Sequence, residues 1–207
     1  MDLILIRHGQ SQYNLDQTGG VDAPLTTRGR EQARRAGIYC KSEFNLHALY
    51  ASTYIRARDT AEIINAQVQL ARVTLMNELR EFDYDYGFQM PRFGSPFDAL
   101  RAARVMPADI SPQYAEFQAR VQRALEMVFA QHAYVMETDA QIGIVSHGGT
   151  MGTILRTLTG NHSYSLDTEN TGIHILRWQE QRWHILAVNR TEHLECGEWQ
   201  HDKGQDA

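Results

Sequence analysis

Two histidines that each follow a short apolar run carry most of the chemistry that this sequence suggests. Residues 3–6 lead into Arg7 and His8, and residues 142–146 lead into His147, with glycine next in both cases. In an open α/β sheet, ligands bind just beyond the carboxyl ends of the strands. Two such strand ends side by side would aim two imidazoles into one crevice. The neighbouring arginine indicates that the bound group is an anion.

The segment after the first apolar run offers the groups that a phosphoryl transfer needs. A histidine acts as a nucleophile when its ring is neutral and oriented, which suits His8. Arg7 offers a planar fork of donors for phosphate oxygens, Gly9 lets a ligand approach the backbone closely, and Asn14 adds a neutral donor. Taken alone, the segment is more readily explained as a structural Arg–His pair, so the functional interpretation depends on the other segments.

A second basic group lies at the expected start of a helix. Arg56 follows the apolar run at 49–52 and falls in the first helical turn, where the backbone amides also favour an anion. Arg58 is expected to be a surface residue that pairs with Asp59 or Glu62, and the sequence does not decide between these two partners.

The glycines after His147 place backbone amides where a phosphate could bind, which makes Gly148 a candidate binding residue. The same segment resembles the nucleophile elbow of serine hydrolases around Ser146. That elbow requires Gly-x-Ser-x-Gly, and Ile144 stands where the first glycine is needed, so the match fails. His147 is therefore the better candidate for chemistry.

A carboxylic acid follows the third expected strand. Close to a bound phosphate, Glu81 would be favoured in its protonated form, because two negative charges repel each other. A protonated carboxyl can then give its proton to a leaving alkoxide. Without the histidines, a surface carboxylate would be the simpler interpretation of Glu81.

The elements that must position these residues alternate between strand and helix, which predicts an α/β layered fold. Apolar runs predict strands at 3–6, 49–52, 73–76, 142–146, 173–177 and 183–188. Helical spacing of apolar residues predicts helices at about 26–42, 56–67, 113–133 and 149–159. Gly160 suits the left-handed cap of the last helix, and a turn near Glu180 would join the two late strands.

One segment interrupts this alternation. Residues 82–113 are aromatic and acidic at first and are then punctuated by proline and glycine. Such a segment between regular elements is more typical of a lid or specificity loop than of a second domain. We therefore expect a single domain over residues 1–207 with an insertion at about 82–113.

Composition excludes several classes of protein. The formal net charge of −5, without a basic block, disfavours nucleic-acid binding as the main role. No apolar stretch approaches the ~20 residues that a membrane-spanning helix needs, so we expect no membrane partner. We expect a cytoplasmic protein. Cys40 and Cys196 are too few for a disulfide framework, and we interpret both as reduced.

Together the segments resemble the histidine phosphatase superfamily, the group that includes the cofactor-dependent phosphoglycerate mutases. The resemblance spans residues 3–194 and rests on the order and spacing of its motifs. These are Arg7-His8-Gly9 with Ser11 and Asn14, Asp22-x-Pro24-Leu25-Thr26-x-x-Gly29, Ser52 with Arg56-Ala57 and Thr60-Ala61, Leu79-x-Glu81, Ser146-His147-Gly148-Gly149, and Asn189-x-Thr191-x-His193-Leu194. The resemblance implies a three-layer α/β sandwich with a mostly parallel central sheet flanked by helices.

The resemblance also implies roles at the matching positions. His8 would be the nucleophile that becomes phosphohistidine. Glu81 would protonate the leaving group and then activate water. The phosphoryl oxygens would be held, and their charge stabilised during transfer, by a set of donors around His8: Arg7, Asn14, Arg56, His147 and Gly148. No metal and no cofactor is implied, because cations and amides supply the electrostatics.

The sequence departs from the family pattern after the acid. Many relatives carry aromatic-Glu-Gly there, whereas residues 87–90 read Gly-Phe-Gln-Met. Asp83 or Asp85 is therefore an alternative proton donor to Glu81. The extended insertion and added basic residues that are typical of the mutases are missing, which favours a phosphatase.

The remaining histidines have less specific interpretations. They are expected to face solvent from loops or strands: His47, His132, His162, His174, His184 and His201. His193 lies in the closing motif, where we expect it to brace the fold near the site.

The sequence thus predicts a metal-independent phosphatase that hydrolyses phosphomonoesters of a small metabolite. Two alternatives stay open: a phosphoglycerate-mutase-type isomerase, and a non-catalytic protein that binds a phosphorylated ligand. The aromatic and acidic residues of the insertion suggest a modest-sized, partly apolar alcohol moiety. The oligomeric state is not indicated, and a homodimer stays an open alternative.

Overall fold

A computed structural model describes residues 1–82, residue 95 and residues 111–195 of the chain. Most of the predicted insertion at about 82–113 therefore lies outside the described residues. The same holds for four residues singled out from the sequence: Asp83, Asp85, Cys196 and His201.

A six-stranded sheet forms the centre of the fold, with the strand order β3-β2-β4-β1-β5-β6. The strands are β1 (Asp2–Arg7), β2 (Leu46–Ser52), β3 (Val73–Met76), β4 (Gln141–Ser146), β5 (Ile173–Gln179) and β6 (Arg182–Arg190). The first four strands are mutually parallel, β5 runs antiparallel to β1, and β6 runs antiparallel to β5. The sheet is thus mostly parallel, as predicted.

The helices are α1 (Gln12–Asp16), α2 (Thr27–Glu43), α3 (Ile55–Val68), α4 (Pro112–Gln131), α5 (Gly148–Thr159) and α6 (Glu192–Glu195). Short 3-10 turns occur at Asn77–Leu79 and Ala133–Val135. No helix that the structure describes is long and apolar enough to cross a lipid bilayer.

Alternating residues of β1 divide the core into two halves. Leu3 and Leu5 pack with α4 and α5 on one face of the sheet, and Ile4 and Ile6 pack with α2 and α3 on the other. This division follows from the two-residue period of a strand, whose successive side chains point to opposite faces. The two helical layers confirm the predicted three-layer α/β sandwich.

Local signals in the sequence set the helix ends. The Thr26 hydroxyl accepts from the Gly29 amide and begins α2, as expected for an N-cap. Gly160 ends α5 in the left-handed conformation, with φ of 66°, as predicted. Serine and proline begin α4, where Ser111 caps the helix and Pro112 occupies its first turn.

Three of the expected surface histidines are buried, so those predictions were wrong. His132 lies at the end of α4, with its Nε2 atom 2.8 Å from the Tyr50 hydroxyl. His162 packs edge-on against the ring of Tyr114. His174 is fully buried because β5 is an interior strand covered on both faces. Alternation along a strand marks a solvent face only where one face is uncovered.

Other expectations about individual residues hold. His47 is exposed, and Cys40 is a buried free thiol whose pKa is raised by desolvation to about 12. The guanidinium of Arg58 lies 2.9 Å from a carboxylate oxygen of Asp59, which decides between the two partners that the sequence left open.

Candidate active site

The carboxyl ends of β1 and β4 bring the two predicted histidines together. In the parallel register, Arg7 pairs with Ser146, so the next residue on each strand is a histidine. The His8 amide donates to the Ser146 carbonyl at 2.9 Å. The ring centroids of His8 and His147 lie 5.1 Å apart, with an interplanar angle of 60°. Residues far apart in the chain thus meet at one sheet edge.

A cavity of about 560 Å³ opens at this edge. Six residues singled out from the sequence contribute to its wall: Arg7, His8, Asn14, Arg56, Glu81 and Gly148. Tyr13, Val21 and Phe82 add apolar surface that sequence reasoning did not assign to the site. His147 has no exposed surface and lies behind this wall.

The hydrogen bonds of His8 define its tautomer. Its Nδ1 atom lies 2.7 Å from the Gly9 carbonyl oxygen, which only accepts, so Nδ1 carries the proton. The Nε2 atom is then the unprotonated nitrogen, and it accepts from Nε of Arg56 at 3.1 Å. The lone pair on Nε2 is the nucleophilic position of this ring.

Arg56 occupies the first turn of α3, as predicted, and is buried. Besides contacting His8, it donates through Nη1 to the Val21 carbonyl at 2.6 Å. The Thr60 hydroxyl donates to the Arg56 carbonyl at 2.7 Å and accepts from the Gly9 amide at 3.0 Å. The backbones that orient His8 and Arg56 are therefore tied together through one hydroxyl.

Burial and positive neighbours keep both imidazoles neutral. Desolvation is the largest effect, and the Arg56 and Arg7 guanidiniums add to it, so the pKa of His8 lies well below its usual range. The pKa of His147 is likewise held well below its usual range, first by desolvation and then by His8 and the two arginines. A neutral His8 has the lone pair that nucleophilic attack requires.

Glu81 is buried at the end of the turn that follows β3. Its Oε2 atom accepts from the Gly149 amide at 2.9 Å, and its Oε1 atom accepts from the Phe82 amide at 3.0 Å and from the Thr150 hydroxyl at 3.2 Å. A Cβ added at Gly149 would meet Oε1 at 2.6 Å. Any larger residue at Gly149 would therefore displace the carboxylate from the start of α5.

An arginine that sequence reasoning missed holds the same turn. Arg120 of α4 donates to the carbonyls of Asn77, Glu78 and Glu81 at 3.1–3.2 Å. These bonds fix the backbone on which Glu81 stands. No local sequence pattern marks Arg120, since its partners lie about 40 residues away along the chain.

The loop before β5 holds three of the residues that line the cavity. Arg7 donates through Nη1 to the Thr168 carbonyl, and the Asn170 amide group donates to the His8 carbonyl at 3.1 Å. Asn170 also donates to Oδ1 of Asn14 at 3.3 Å, which leaves the Asn14 NH2 group as a donor for a ligand. The loop residues were also missed, because irregular segments carry no periodic signal.

The closing motif lies beneath this loop. The Thr171 amide donates to the carbonyls of Arg7 and His8, and the Thr171 hydroxyl lies 2.9 Å from Nε2 of His193. His193 therefore braces the backbone of the site, as expected. Burial lowers the pKa of His193 to about 4.

Comparisons with known proteins agree with this geometry. The model of the histidine phosphatase superfamily (branch 1) matches residues 3–191. PhoE of Bacillus subtilis (strain 168), described as an uncharacterized phosphatase, is 29% identical over 195 residues, which are 92% of this chain and 95% of PhoE. The probable phosphoglycerate mutase GpmB of Salmonella paratyphi C is 28% identical over 197 residues, which are 88% of this chain and 87% of GpmB.

A solved structure shows the same fold. It is a phosphoserine phosphatase mutant from Entamoeba histolytica in complex with phosphoserine, with a TM-score of 0.67 and 24% sequence identity. The match covers 93% of this chain and 98% of that one. Because the family model spans nearly the whole chain, this protein belongs to the histidine phosphatase superfamily.

Proposed function

We propose that this protein is a phosphatase that hydrolyses phosphomonoesters of a small metabolite through a phosphohistidine on His8. The observation that carries the proposal is the state of His8. Its proton is on Nδ1, its Nε2 atom carries the lone pair, and the residue lines a cavity together with two arginines. A neutral nucleophile beside fixed cations suits attack on a phosphoryl group.

In the first step, the Nε2 lone pair of His8 forms a bond to phosphorus while the bond from phosphorus to the alcohol oxygen breaks. Arg56 must first release Nε2, after which its Nε–H group donates to a phosphoryl oxygen. The set of groups proposed to hold these oxygens is Arg7, Asn14, Arg56, His147 and Gly148. The Thr168 and Val21 carbonyls already hold the Arg7 and Arg56 guanidiniums, so these two donors need little rearrangement.

Glu81 is the proposed proton donor to the departing alkoxide. As the bond from phosphorus to the alcohol oxygen breaks, that oxygen takes the proton of the Glu81 carboxyl, which becomes a carboxylate. In the second step Glu81 takes a proton from water, the resulting hydroxide attacks phosphorus, and the bond from phosphorus to Nε2 breaks. His8 regains its lone pair, and inorganic phosphate leaves.

The named relatives support hydrolysis of this kind. PhoE, which matches nearly the whole chain, is described as a phosphatase. The Entamoeba protein that shares the fold is a phosphoserine phosphatase bound to phosphoserine. A modest-sized phosphorylated alcohol is accordingly our proposed substrate. The single-domain organisation with its insertion and the cytoplasmic location stay predictions from the sequence, and a homodimer stays an open alternative.

The proposal is tested by trapping the intermediate. Wild-type protein is incubated with an aryl phosphate, quenched in base and analysed by mass spectrometry for a phosphate on His8. We expect phosphate at that residue, steady release of the aryl alcohol, and neither in His8→Ala. Equal rates in the two proteins would reject the proposal.

A mutase would behave differently in the same experiment. Its phosphohistidine would survive for minutes without acceptor, and turnover would depend on a bisphosphate. Rapid decay of the intermediate in water, without any bisphosphate, is the result that the phosphatase proposal requires.

The role of Glu81 is tested through its glycine neighbour. Gly149→Ala would push the carboxylate aside, because the new Cβ would meet Oε1 at 2.6 Å. Loss of a positioned general acid lowers kcat by about 10²-fold or more. We expect that fall for alkyl phosphates, whose leaving groups need a proton, and a smaller fall for activated aryl phosphates.

Gly148→Ala is the matched control, since its Cβ would meet only Nε of Arg7, at 3.8 Å. Its kcat ratio between alkyl and aryl phosphates should stay close to that of the wild type. Equal losses on both substrate types in Gly149→Ala would remove Glu81 from the proton-transfer step and favour one of the aspartates of the insertion.

A further inference from the structure

The ring of His147 has one nitrogen with a partner and one without. Its Nε2 atom lies 2.9 Å from Oγ of Ser52, and its Nδ1 atom is buried and has no hydrogen-bond partner in the described part of the chain. A buried polar atom without a partner is destabilising by about 1–3 kcal/mol. The centroid of this ring lies 5.1 Å from that of His8, which lines the cavity, so a ligand bound beside His8 is the partner that this position allows.

Ser52 ends β2, the strand next to β4, and is fully buried. Its hydroxyl oxygen accepts from the Tyr54 amide at 3.2 Å. A hydroxyl has one proton and two lone pairs, so this bond leaves the proton free to be donated. The acceptor within reach is Nε2 of His147.

Because His147 is neutral, its contact with Ser52 depends on which ring nitrogen carries the proton. Burial, His8 and the arginines hold its pKa well below the usual range, so the ring is neutral and carries a single N–H. If Nε2 accepts from Ser52, the proton is on Nδ1 and the free nitrogen is a donor. If Nε2 instead carries the proton, the free nitrogen presents a lone pair, which repels an anionic oxygen.

We propose that Ser52 is a positioning residue that holds neutral His147 in the Nδ1–H tautomer, so that the ring donates to a phosphoryl oxygen during transfer. The inference rests on the proposed function, since it assigns a donor to the phosphoryl group. Ser52 does not touch the substrate and acts only through the imidazole. His147 thereby contributes a hydrogen bond without adding a positive charge next to Arg7 and Arg56.

The tautomer can be measured without any reaction. Protein labelled with 15N at histidine is examined by long-range proton–nitrogen correlation at neutral pH, and the His147 ring is assigned from its loss in His147→Gln. We expect the shift of a protonated nitrogen at Nδ1 and of an unprotonated nitrogen at Nε2. The reverse assignment would overturn the proposal and leave the phosphohistidine mechanism intact.

Two serine variants extend the test. Ser52→Ala removes the hydroxyl that contacts His147, whereas Ser146→Ala removes an equally buried hydroxyl that donates to the Leu79 carbonyl at 2.7 Å. Only Ser52→Ala should change the 15N pattern of His147. Its affinity for orthovanadate should fall about 10-fold, the loss expected when one hydrogen bond to a charged group is removed.

Ser52→Thr keeps the hydroxyl and should restore both the tautomer and vanadate binding. An unchanged His147 pattern in Ser52→Ala would overturn the proposal, whatever the variant does to activity. If the wild-type tautomer is as expected but the aryl phosphate is not hydrolysed, the proposed function fails while the assignment of Ser52 stands.

Discussion

Two histidine pairs in this protein have similar ring geometry and different surroundings. The rings of His8 and His147 lie 5.1 Å apart at 60°, and those of His47 and His132 lie 5.4 Å apart at 81°. The first pair follows the carboxyl ends of β1 and β4. In the second pair, His47 lies near the start of β2, at the opposite edge of the sheet, and His132 follows α4.

The neighbours of the two pairs decide what each can do. Arg56 donates to His8, whereas tyrosine hydroxyls contact the second pair, with Tyr50 2.8 Å from His132 and Tyr134 3.0 Å from His47. An unpartnered Nδ1 occurs in both pairs, at His147 and at His132, so that feature alone does not define a site. The cations at the strand ends are what distinguishes the first pair, and under the proposed function they allow it to bind an anion.

Removing one imidazole from each pair should give the largest difference in activity between the two pairs. Loss of a catalytic nucleophile lowers kcat by about 10⁴-fold or more, which we expect for His8→Ala. His132→Gln should keep kcat/KM within about 2-fold of the wild type, since it lies outside the cavity. Aryl phosphate hydrolysis measures both, and an inactive but folded His132→Gln would give the second pair a part in the reaction.

The contribution of the cation comes next in size. Removing one preorganised donor destabilises a transition state by about 3 kcal/mol, so Arg56→Ala should lower kcat about 100-fold. The counterpart at the second pair, Tyr134→Phe, removes an exposed hydroxyl and should leave kcat unchanged. A comparable kcat for Arg56→Ala and the wild type would mean that Arg56 only packs against His8.

A smaller effect should appear in stability alone. Tyr50→Phe removes the buried hydroxyl that contacts His132 and leaves its Nε2 atom unsatisfied. We expect the free energy of unfolding to fall by about 1–2 kcal/mol, with kcat unchanged. Urea unfolding measures this free energy. Tyr134→Phe again serves as the control, because water can replace the exposed tyrosine hydroxyl that contacts His47.

The smallest difference should lie in the pH dependence of stability. The pKa of His132 is lowered by desolvation and by the neighbouring His47. In the unfolded chain this histidine has its ordinary pKa of about 6.5, so below that pH it binds a proton that the folded protein does not bind. The free energy of unfolding therefore falls as the pH drops through that value. His132→Gln should make this fall shallower in urea unfolding from neutral to mildly acidic pH. A steeper fall would contradict the direction of the shift.

Residues whose role follows from a strand end or a helix start could be predicted from the sequence. His8 and His147 each follow an apolar run, and Arg56 opens a helix, so parallel topology alone brings them to one edge. The same reasoning gave Gly160 as a helix end. These signals are local, and the parallel sheet turns them into contacts between distant parts of the chain.

Residues that act through long-range hydrogen bonds could not be predicted in this way. Arg120 and Asn170 each contact the backbone of a site residue, and nothing within a few residues of them indicates the partner. The error at His174 has a related cause. The sequence shows that polar and apolar residues alternate along a strand. It does not show whether the strand is interior to the sheet or whether helices cover both faces of that sheet.

The contact between Arg56 and His8 has a consequence for selectivity among reactive molecules. Without a ligand, the Arg56 guanidinium donates to the Nε2 lone pair of His8. An uncharged electrophile does not displace this hydrogen bond, so the lone pair is not available to it. An anionic group offers the guanidinium a stronger acceptor and draws it away, which exposes the nitrogen only when a suitable reactant is in place. Neutral acylating reagents should therefore modify His8 slowly, whereas anionic phosphoryl donors should react with it faster.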